Sequence, residues 1–177
     1  MQVPFDELPS AQRMARASVG DERECLEAFL DLYRDVVVRK VAGVSEKDAR
    51  RRLVGSSTTL AGIIKHLRVI EMNWFQRRLG LTPDDELPVR VLSWSRLEST
   101  FVLDDEETVD DVVAAYREQC DISRQVARAK QLADRVPQPQ LGEVTLRWIY
   151  LHMIEETARH AGHADILREQ IDGHTGS

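Results

Sequence analysis

The sequence contains only two cysteines, Cys25 and Cys120, which lie far apart and form no paired motif. Two isolated thiols are too few for a disulfide scaffold or a zinc ribbon, so we expect both to be small buried hydrophobic side chains. No apolar run approaches the roughly 18 residues that span a bilayer. The first residues also lack the basic region and apolar stretch of a secretory signal. We therefore expect a soluble cytoplasmic protein that has no membrane partner.

Positive charge is not in excess either. The 24 lysines and arginines are outnumbered by 30 aspartates and glutamates, and the formal net charge is -6. Proteins that bind nucleic acids usually carry a basic face that neutralises phosphates. Arginines do cluster at residues 50–52 and 77–78, but acidic residues surround them, which is typical of a solvated helix surface. We expect no nucleic-acid partner.

What the sequence does contain is helical periodicity, interrupted at glycines and prolines. Asp21 followed by Glu24 matches a capping box, Thr108 matches a helix N-cap, and Gly80 and Gly173 match helix stops. Apolar residues at helical spacing predict four long helices and one short helical turn, at about residues 21–42, 60–79, 109–132, 144–171 and, for the turn, 45–52.

The two ends of the chain are predicted to be less regular. Pro4 and Pro9 discourage a helix, so residues 1–19 are predicted to be a partly extended entry segment. Residues 174–177 form a short polar tail after Gly173 and are predicted to fray.

A long irregular connection, residues 81–107, joins the second and third long helices, and residues 89–94 within it are predicted to be extended. A connection of this length in a compact domain is more often functional than idle. Four long helices, one long crossover and no repeats predict an all-α, single-domain four-helix bundle over residues 1–177. Such bundles build metal sites in their interior from side chains on facing helices.

The last predicted helix carries the most informative pattern. At about 100° per residue, His152, Glu156, His160 and His163 fall within a roughly 80° arc among apolar neighbours. Burying imidazoles and a carboxylate is costly unless something compensates, and a bound divalent cation would do so. The pattern therefore indicates a metal site.

Helix geometry limits which residues could bind one ion together. His152 and His160 lie about 12 Å apart along the helix axis, too far to share an ion. The workable pairs are His152 with Glu156, Glu156 with His160, and His160 with His163, and each requires a ligand from another element. His66, at the edge of the apolar face of the second long helix, is the expected third ligand. His66, Glu156 and His160 would leave one position open, whereas His163 in place of Glu156 is the competing set.

Three segments resemble the DinB-like superfamily of metal-binding four-helix bundles, and within it the branch that includes mycothiol-dependent S-transferases and maleylpyruvate isomerases. They are residues 20–24 with 29–34 (GDERE and FLDLYR), residues 58–67 (TTLAGIIKHL) and residues 152–163 (HMIEETARHAGH). The family pattern is one histidine on the second bundle helix and a [His/Glu]-x3-His pair on the last. It falls on His66, Glu156 and His160, and glutamate replaces a frequent histidine at position 156.

The resemblance implies a divalent metal, most often zinc and sometimes nickel, and a homodimer. It also implies an enzyme that uses mycothiol or a similar low-molecular-weight thiol as co-substrate and transfers it to an electrophilic small molecule. The connection over residues 81–107, with Trp94, and Arg159 beside the expected ligands are candidates for contacting the thiol carrier. Two other functions stay open: a non-catalytic metal-binding stress-response protein, and a hydrolase that uses metal-bound hydroxide.

Overall fold

The structure, a computed structural model, describes residues 9–88 and 94–175, apart from the side chains of residues 94–97. Within these residues helices predominate, and the only sheet pairs two short strands, which confirms the predicted all-α class. The elements are α1 (Pro9–Ala17), α2 (Glu22–Val41), α3 (Glu46–Ala49), α4 (Leu60–Glu71), α5 (Val109–Arg128), β1 (Arg135–Gln138), β2 (Gly142–Thr145) and α6 (Leu146–Asp172).

The start of α2 follows the predicted capping box. The carboxylate of Asp21 accepts a hydrogen bond from the backbone N–H of Glu24 at 2.8 Å, and the Glu24 carboxylate accepts one from the N–H of Asp21 at 3.0 Å. Thr108 caps α5 as predicted, and Gly173 ends α6 in the left-handed conformation with φ of 74°. These ends are determined locally, because each cap satisfies orphan backbone groups of its own helix.

The prediction of an extended segment over residues 1–19 is wrong for residues 9–17, which form α1. Pro9 is the first residue of this helix. Proline is well tolerated there, because a first-turn residue has no N–H partner within the helix and its fixed φ suits helical geometry. Residues 1–8 and 176–177, which include Pro4 and part of the predicted tail, lie outside the described residues.

The second long helix changes from an α-helix to a π-helix partway along its length. The α-helical part, α4, ends at Glu71, and the chain continues as a π-helix over Met72–Leu79 before Gly80. The N–H of Gly80 donates to the carbonyl of Phe75 at 2.8 Å, which is the five-residue spacing of a π-helix. The prediction of a helix over residues 60–79 is therefore right in extent, although its periodicity gave no sign of the π-helical turns.

A β-hairpin before α6 was not predicted. Strands β1 and β2 pair antiparallel, with Val136 opposite Val144 and Pro137 opposite Glu143. Proline is compatible with this sheet because each of two strands has a free edge, where a missing N–H breaks no ladder bond. As a result α5 ends at Arg128 rather than near residue 132, and α6 begins at Leu146 rather than near residue 144.

The crossover between Gly80 and Thr108 contains a 3₁₀-helix over Trp94–Phe101. The predicted extended segment at residues 89–94 lies outside the described residues up to residue 93, and Trp94 already belongs to this 3₁₀-helix. The crossover packs against α4 and so covers one side of the bundle.

Among the described residues, the bundle core has two apolar clusters, one at each end. The C-terminal halves of α2 and α6 share one cluster with the N-terminal halves of α4 and α5, and the opposite halves share the other. Hence α2 and α6 run parallel to each other and antiparallel to α4 and α5. The largest side chains with almost no exposed surface are Leu30, Leu60, Ile63, Ile64, Leu67, Met72, Trp74, Phe75, Leu79, Tyr116, Leu146 and Ile149.

A charged network lies inside the bundle where α4 gives way to the π-helix. Arg34 of α2 donates to both carboxylate oxygens of Glu71, at 2.7 and 2.6 Å, and also to Asp31 at 2.9 Å. Arg124 of α5 donates to the same oxygen of Asp31 at 3.0 Å. Glu71 has no exposed surface. The pairing compensates for burying these charges and joins three of the bundle helices.

The two cysteines differ in burial. Cys120 is buried, and burial raises the pKa of its thiol to about 12, so it is an unreactive core side chain as predicted. Cys25 is only half-buried, so the prediction that it lies in the core is wrong. Among the described residues, no helix combines the length and apolar character needed to cross a bilayer.

The Glu71→Ala variant tests the buried network. Removing this carboxylate leaves the Arg34 guanidinium buried without its main partner, so we expect a loss of about 3–5 kcal/mol in unfolding free energy. Urea denaturation of the variant and of the natural sequence measures the loss. Asp84→Ala is the control, because Asp84 forms an exposed pair with Arg77 and its removal should change stability little. Equal effects of the two substitutions would contradict the assigned role of Glu71.

Candidate metal centre

Of the four polar residues predicted on one face of α6, only two are buried in the bundle. Glu156 and His160, one turn apart, are each 7% exposed, whereas His163 is exposed and His152 is half-buried. Thr145 caps this helix by accepting a hydrogen bond from the N–H of Trp148 at 3.2 Å. Along the helix, Ile149, Met153 and Leu167 pack into the core. The apolar positions therefore set the rotation of the helix and turn Glu156 and His160 toward α4.

His66 of α4 meets this pair from the other side. Its side chain is buried, with 4% of the residue exposed. Its Nε2 lies 3.3 Å from Oε1 of Glu156, and Nε2 of His160 lies 3.2 Å from the same oxygen. The two imidazole rings are 4.9 Å apart at their centroids. Three side chains that were predicted as metal ligands thus converge on one point between α4 and α6.

The spacing of the three ligand atoms suits a small divalent cation. One ligand atom from each of His66, Glu156 and His160 lies within 4.8 Å of the other two. Ligands bonded at about 2.0–2.1 Å to a tetrahedral zinc ion are roughly 3.3–3.4 Å apart. The two distances to Oε1 of Glu156 are close to that value. The competing set, in which His163 replaces Glu156, is not favoured by this geometry, because His163 lies at the exposed side of His160.

The crossover supplies two further contacts to His66. Oγ1 of buried Thr100 lies 2.7 Å from Nδ1 of His66, and the ring of Phe101 stacks on the imidazole with centroids 4.1 Å apart. Whichever partner carries the hydrogen, this bond commits Nδ1 and directs Nε2 at Glu156. A hydrogen-bonded second ring nitrogen is the usual support of a metal-binding histidine.

Arg159 holds the other side of the carboxylate. Its guanidinium donates to Oε2 of Glu156, while Oε1 faces the two imidazoles. The structure thus places Arg159, which was predicted as a contact for the thiol carrier, on Glu156 itself. Half of the Arg159 side chain is exposed, so it also borders the surface beside the cluster.

Both buried histidines are held in the neutral form. Burial, assisted by the positive charge of Arg159, lowers the pKa of His160 to about 4. Burial, together with His160 and Arg159, lowers the pKa of His66 to about 3. Metal coordination requires the unprotonated ring nitrogen, so these imidazoles need not lose a charge at neutral pH before they bind a cation.

The contacts of the His66 and His160 rings with Oε1 of Glu156 are also compatible with a bound cation. If Nε2 of each ring carries a hydrogen, both rings donate to Oε1 of Glu156. If the hydrogens reside on Nδ1 instead, two lone pairs face a carboxylate oxygen, and a cation is needed to relieve the repulsion. For His66 this second arrangement is well supported, because Thr100 can accept from Nδ1. Nδ1 of His160 is buried and has no hydrogen-bond partner in the part of the chain described.

The remaining histidines lie elsewhere. His152 stacks on Trp148, with ring centroids 5.1 Å apart, and contacts Trp74 edge-on at 4.8 Å. The ring of His163 lies 5.4 Å from that of His160. His174 is exposed after the end of α6. His152 and His163 thus flank the cluster along α6 without joining it.

Comparison with known protein families bears on this arrangement. A family model described as mycothiol-S-transferase matches residues 25–173, which is most of the chain. The chain belongs to the mycothiol-S-transferase family. This membership confirms the resemblance to the mycothiol-dependent branch of the DinB-like proteins. No curated protein sequence matches the chain. The match includes α4, the crossover and α6, so every residue described above as part of the cluster lies within it.

Sequence reasoning missed Thr100 and Phe101. The available signal was the length of the crossover, which pointed to a functional connection but not to particular residues. Thr100 is 34 residues from His66, and no periodicity relates a 3₁₀-helix in a long connection to a distant helix face. Gly62 lies where the crossover contacts α4. A Cβ at this position would lie 2.2 Å from the carbonyl oxygen of Phe101.

Two helical glycines near the cluster provide a matched test. Gly62→Ala would push the backbone of Phe101 away from α4, so we expect a stability loss of about 1–3 kcal/mol. Gly162→Ala on α6 meets no atom within 4 Å. We expect it to stabilise the protein by roughly 0.5–1 kcal/mol, as alanine favours helix. Urea denaturation measures both. If Gly62→Ala were as stabilising as Gly162→Ala, the close packing of the crossover on α4 would be incorrect.

Proposed function

We propose that this protein is a divalent-metal-dependent S-transferase that joins a low-molecular-weight thiol, such as mycothiol, to an electrophilic small molecule. The observation that carries the proposal is the convergence of His66, Glu156 and His160, whose ligand atoms lie within 4.8 Å of one another in the bundle interior. Membership of the mycothiol-S-transferase family supports a thiol co-substrate and a transfer reaction.

The cation would be held by Nε2 of His66, Nε2 of His160 and Oε1 of Glu156. Two neutral nitrogens and one carboxylate oxygen form a borderline ligand set that suits zinc and also accepts nickel. A bound dication would keep a net charge of about +1 with these ligands and would lower the pKa of a thiol that coordinates it, supplying a thiolate at neutral pH.

The residues of the chain orient and protect this site. Arg159 and Thr100 hold Glu156 and His66 from behind, so two of the three ligand side chains are oriented by hydrogen bonds to neighbouring residues. Phe101 stacks on His66 and lies 5.6 Å from the ring of His160, which keeps water away from that side. In the proposed transfer the thiol sulfur forms a bond to an electrophilic carbon, the leaving group departs with the former bonding pair, and the thiol proton passes to solvent.

The side of the cluster near Arg159 and His163 is the proposed approach for substrates, because both of these side chains reach the surface. Arg159 could contact a polar group of the thiol carrier while still holding Glu156, since half of its side chain is exposed. The ring of His163 lies 5.4 Å from the ring of His160, so His163 would face the same substrates.

Elemental analysis of purified variants tests the ligand set. The natural sequence should retain about one divalent ion per chain, and His66→Ala, Glu156→Ala and His160→Ala should each lose most of it, because three protein ligands are needed to hold the ion. His163→Ala separates the two ligand sets, since it should retain the metal if Glu156 is the ligand. His174→Ala is the control for an exposed histidine away from the cluster.

Loss of metal from His163→Ala together with retention in Glu156→Ala would overturn this ligand set in favour of the competing one. Retention of the ion by all three cluster variants would place the metal elsewhere. Circular dichroism of each variant checks that the helices are still formed.

Transferase activity is a separate test. Metal-loaded protein should accelerate the reaction of mycothiol with 1-chloro-2,4-dinitrobenzene, in which chloride is the leaving group, as followed by absorbance. Glu156→Ala should lower the rate at least about a hundredfold, because the site can no longer stabilise the thiolate. Glu169→Ala is the matched control, because Glu169 is an exposed carboxylate on the same helix.

The alternative of a non-catalytic metal-binding protein predicts a different result. Metal removal would then lower the melting temperature, but metal-loaded protein would neither bind thiols nor turn over any of a panel of thiols and electrophiles. That combination would refute the transferase proposal while leaving the metal site intact.

A further inference from the structure

A second polar region lies away from the metal cluster. An open cavity of about 380 Å³ is lined by residues of α1, α2 and α5, together with Phe75 and Tyr150. None of the three cluster residues borders it. Its volume is at the lower end of the range for small-ligand sites, about 300–1,000 Å³. Neither the proposed metal binding nor the proposed thiol transfer uses this space.

The lining of this cavity is unusually basic for a chain with a formal net charge of -6. Five arginines face three carboxylates across it. The arginines are Arg13, Arg16, Arg34, Arg124 and Arg128, and the carboxylates are Glu24, Glu27 and Asp31.

The carboxylates are already occupied by hydrogen-bond donors. Glu24 belongs to the capping box of α2. Glu27 accepts from Arg23 and from the hydroxyl of Tyr150, both at 2.9 Å. Asp31 accepts from three guanidiniums, those of Arg13, Arg34 and Arg124. The hydrogen-bond partners of these acidic groups therefore do not include Arg16 or Arg128.

Two arginines of the cavity are left uncompensated. Arg16 of α1 and Arg128 of α5 are exposed, and the side chain of neither forms a hydrogen bond or ion pair with any residue that the structure describes. Ser123, also on α5, has no exposed surface. Its hydroxyl borders the cavity without a hydrogen-bond partner among the described residues. A buried hydroxyl in this condition is costly unless a ligand satisfies it.

We propose that this cavity binds a small organic anion. Arg16 and Arg128 would pair with its oxyanion at the mouth, and Ser123 would donate a hydrogen bond to it from inside. Ala17, Phe75 and Ala127 provide an apolar wall for a short hydrocarbon part. Carboxylates and phosphate esters share the oxyanion chemistry that the guanidiniums recognise, so the source of the anion is a matter for experiment.

Isothermal titration of the full-length, metal-loaded protein with benzoate, succinate and inorganic phosphate tests this proposal. All titrations use the same ionic strength, about 0.15 M, so that general screening is equal. We expect one-to-one binding of at least one probe. Arg16→Gln and Arg128→Gln should each raise its Kd about tenfold or more, because a charge-assisted contact is lost. Comparison of the Kd values for the carboxylates and for phosphate shows which oxyanion the cavity prefers.

Arg117→Gln is the matched control, because Arg117 is an exposed arginine on the same helix that does not line this cavity. It should leave the Kd unchanged. All three arginines are exposed, so the variants should fold, and equal melting temperatures check this. Absence of binding for every probe at about 10 mM would overturn the proposal. So would an equal effect of Arg117→Gln, or binding that Arg128→Gln does not weaken, since the anion would then bind elsewhere, for example at the metal. None of these three results affects the proposed transferase.

Discussion

The carboxylate of Glu156 is the constraint around which this part of the bundle is arranged. A buried carboxylate is costly unless each of its oxygens is satisfied, and here one faces two imidazoles while the other accepts from Arg159. Meeting that requirement needs α4 and α6 side by side at one particular rotation. The crossover then completes the arrangement, because Thr100 and Phe101 hold the imidazole of His66 from its far side.

Two polar centres inside the described part of the bundle differ in how their carboxylates are compensated. Around Glu71 and Asp31, the positive charges of Arg34 and Arg124 compensate the buried carboxylates directly, so that centre is satisfied by the protein alone. Around Glu156 the protein supplies neutral imidazoles, because burial lowers the pKa of His66 and His160 far below neutral pH. A site with neutral nitrogens around one carboxylate retains capacity for a cation, whereas a site filled with guanidiniums does not. This difference is why the two centres suggest different roles.

Much of the fold followed from local rules. The cap at Asp21, the cap at Thr108 and the left-handed Gly173 each depend on residues within a few positions of one another, and all three were predicted correctly. Two of the errors arose where local rules competed. Proline discourages helix interiors but is well accepted at a first helical position, which explains why α1 was missed. The hairpin of β1 and β2 was missed because its prolines were treated only as interruptions.

For the candidate site, the sequence alone determined that Glu156 and His160 share a helix face, since residues four apart on a helix must be neighbours. His66 was the expected partner because it lies at the edge of the apolar face of another helix, and the family resemblance fell on the same three residues. Only the tertiary structure decided that His66 lies 3.3 Å from Glu156 across 90 residues of chain, that His152 and His163 stay outside the cluster, and that Thr100 reaches Nδ1 of His66. Helix phase is a property of neighbouring residues, whereas contacts across a long crossover depend on how whole helices pack, which no local periodicity encodes.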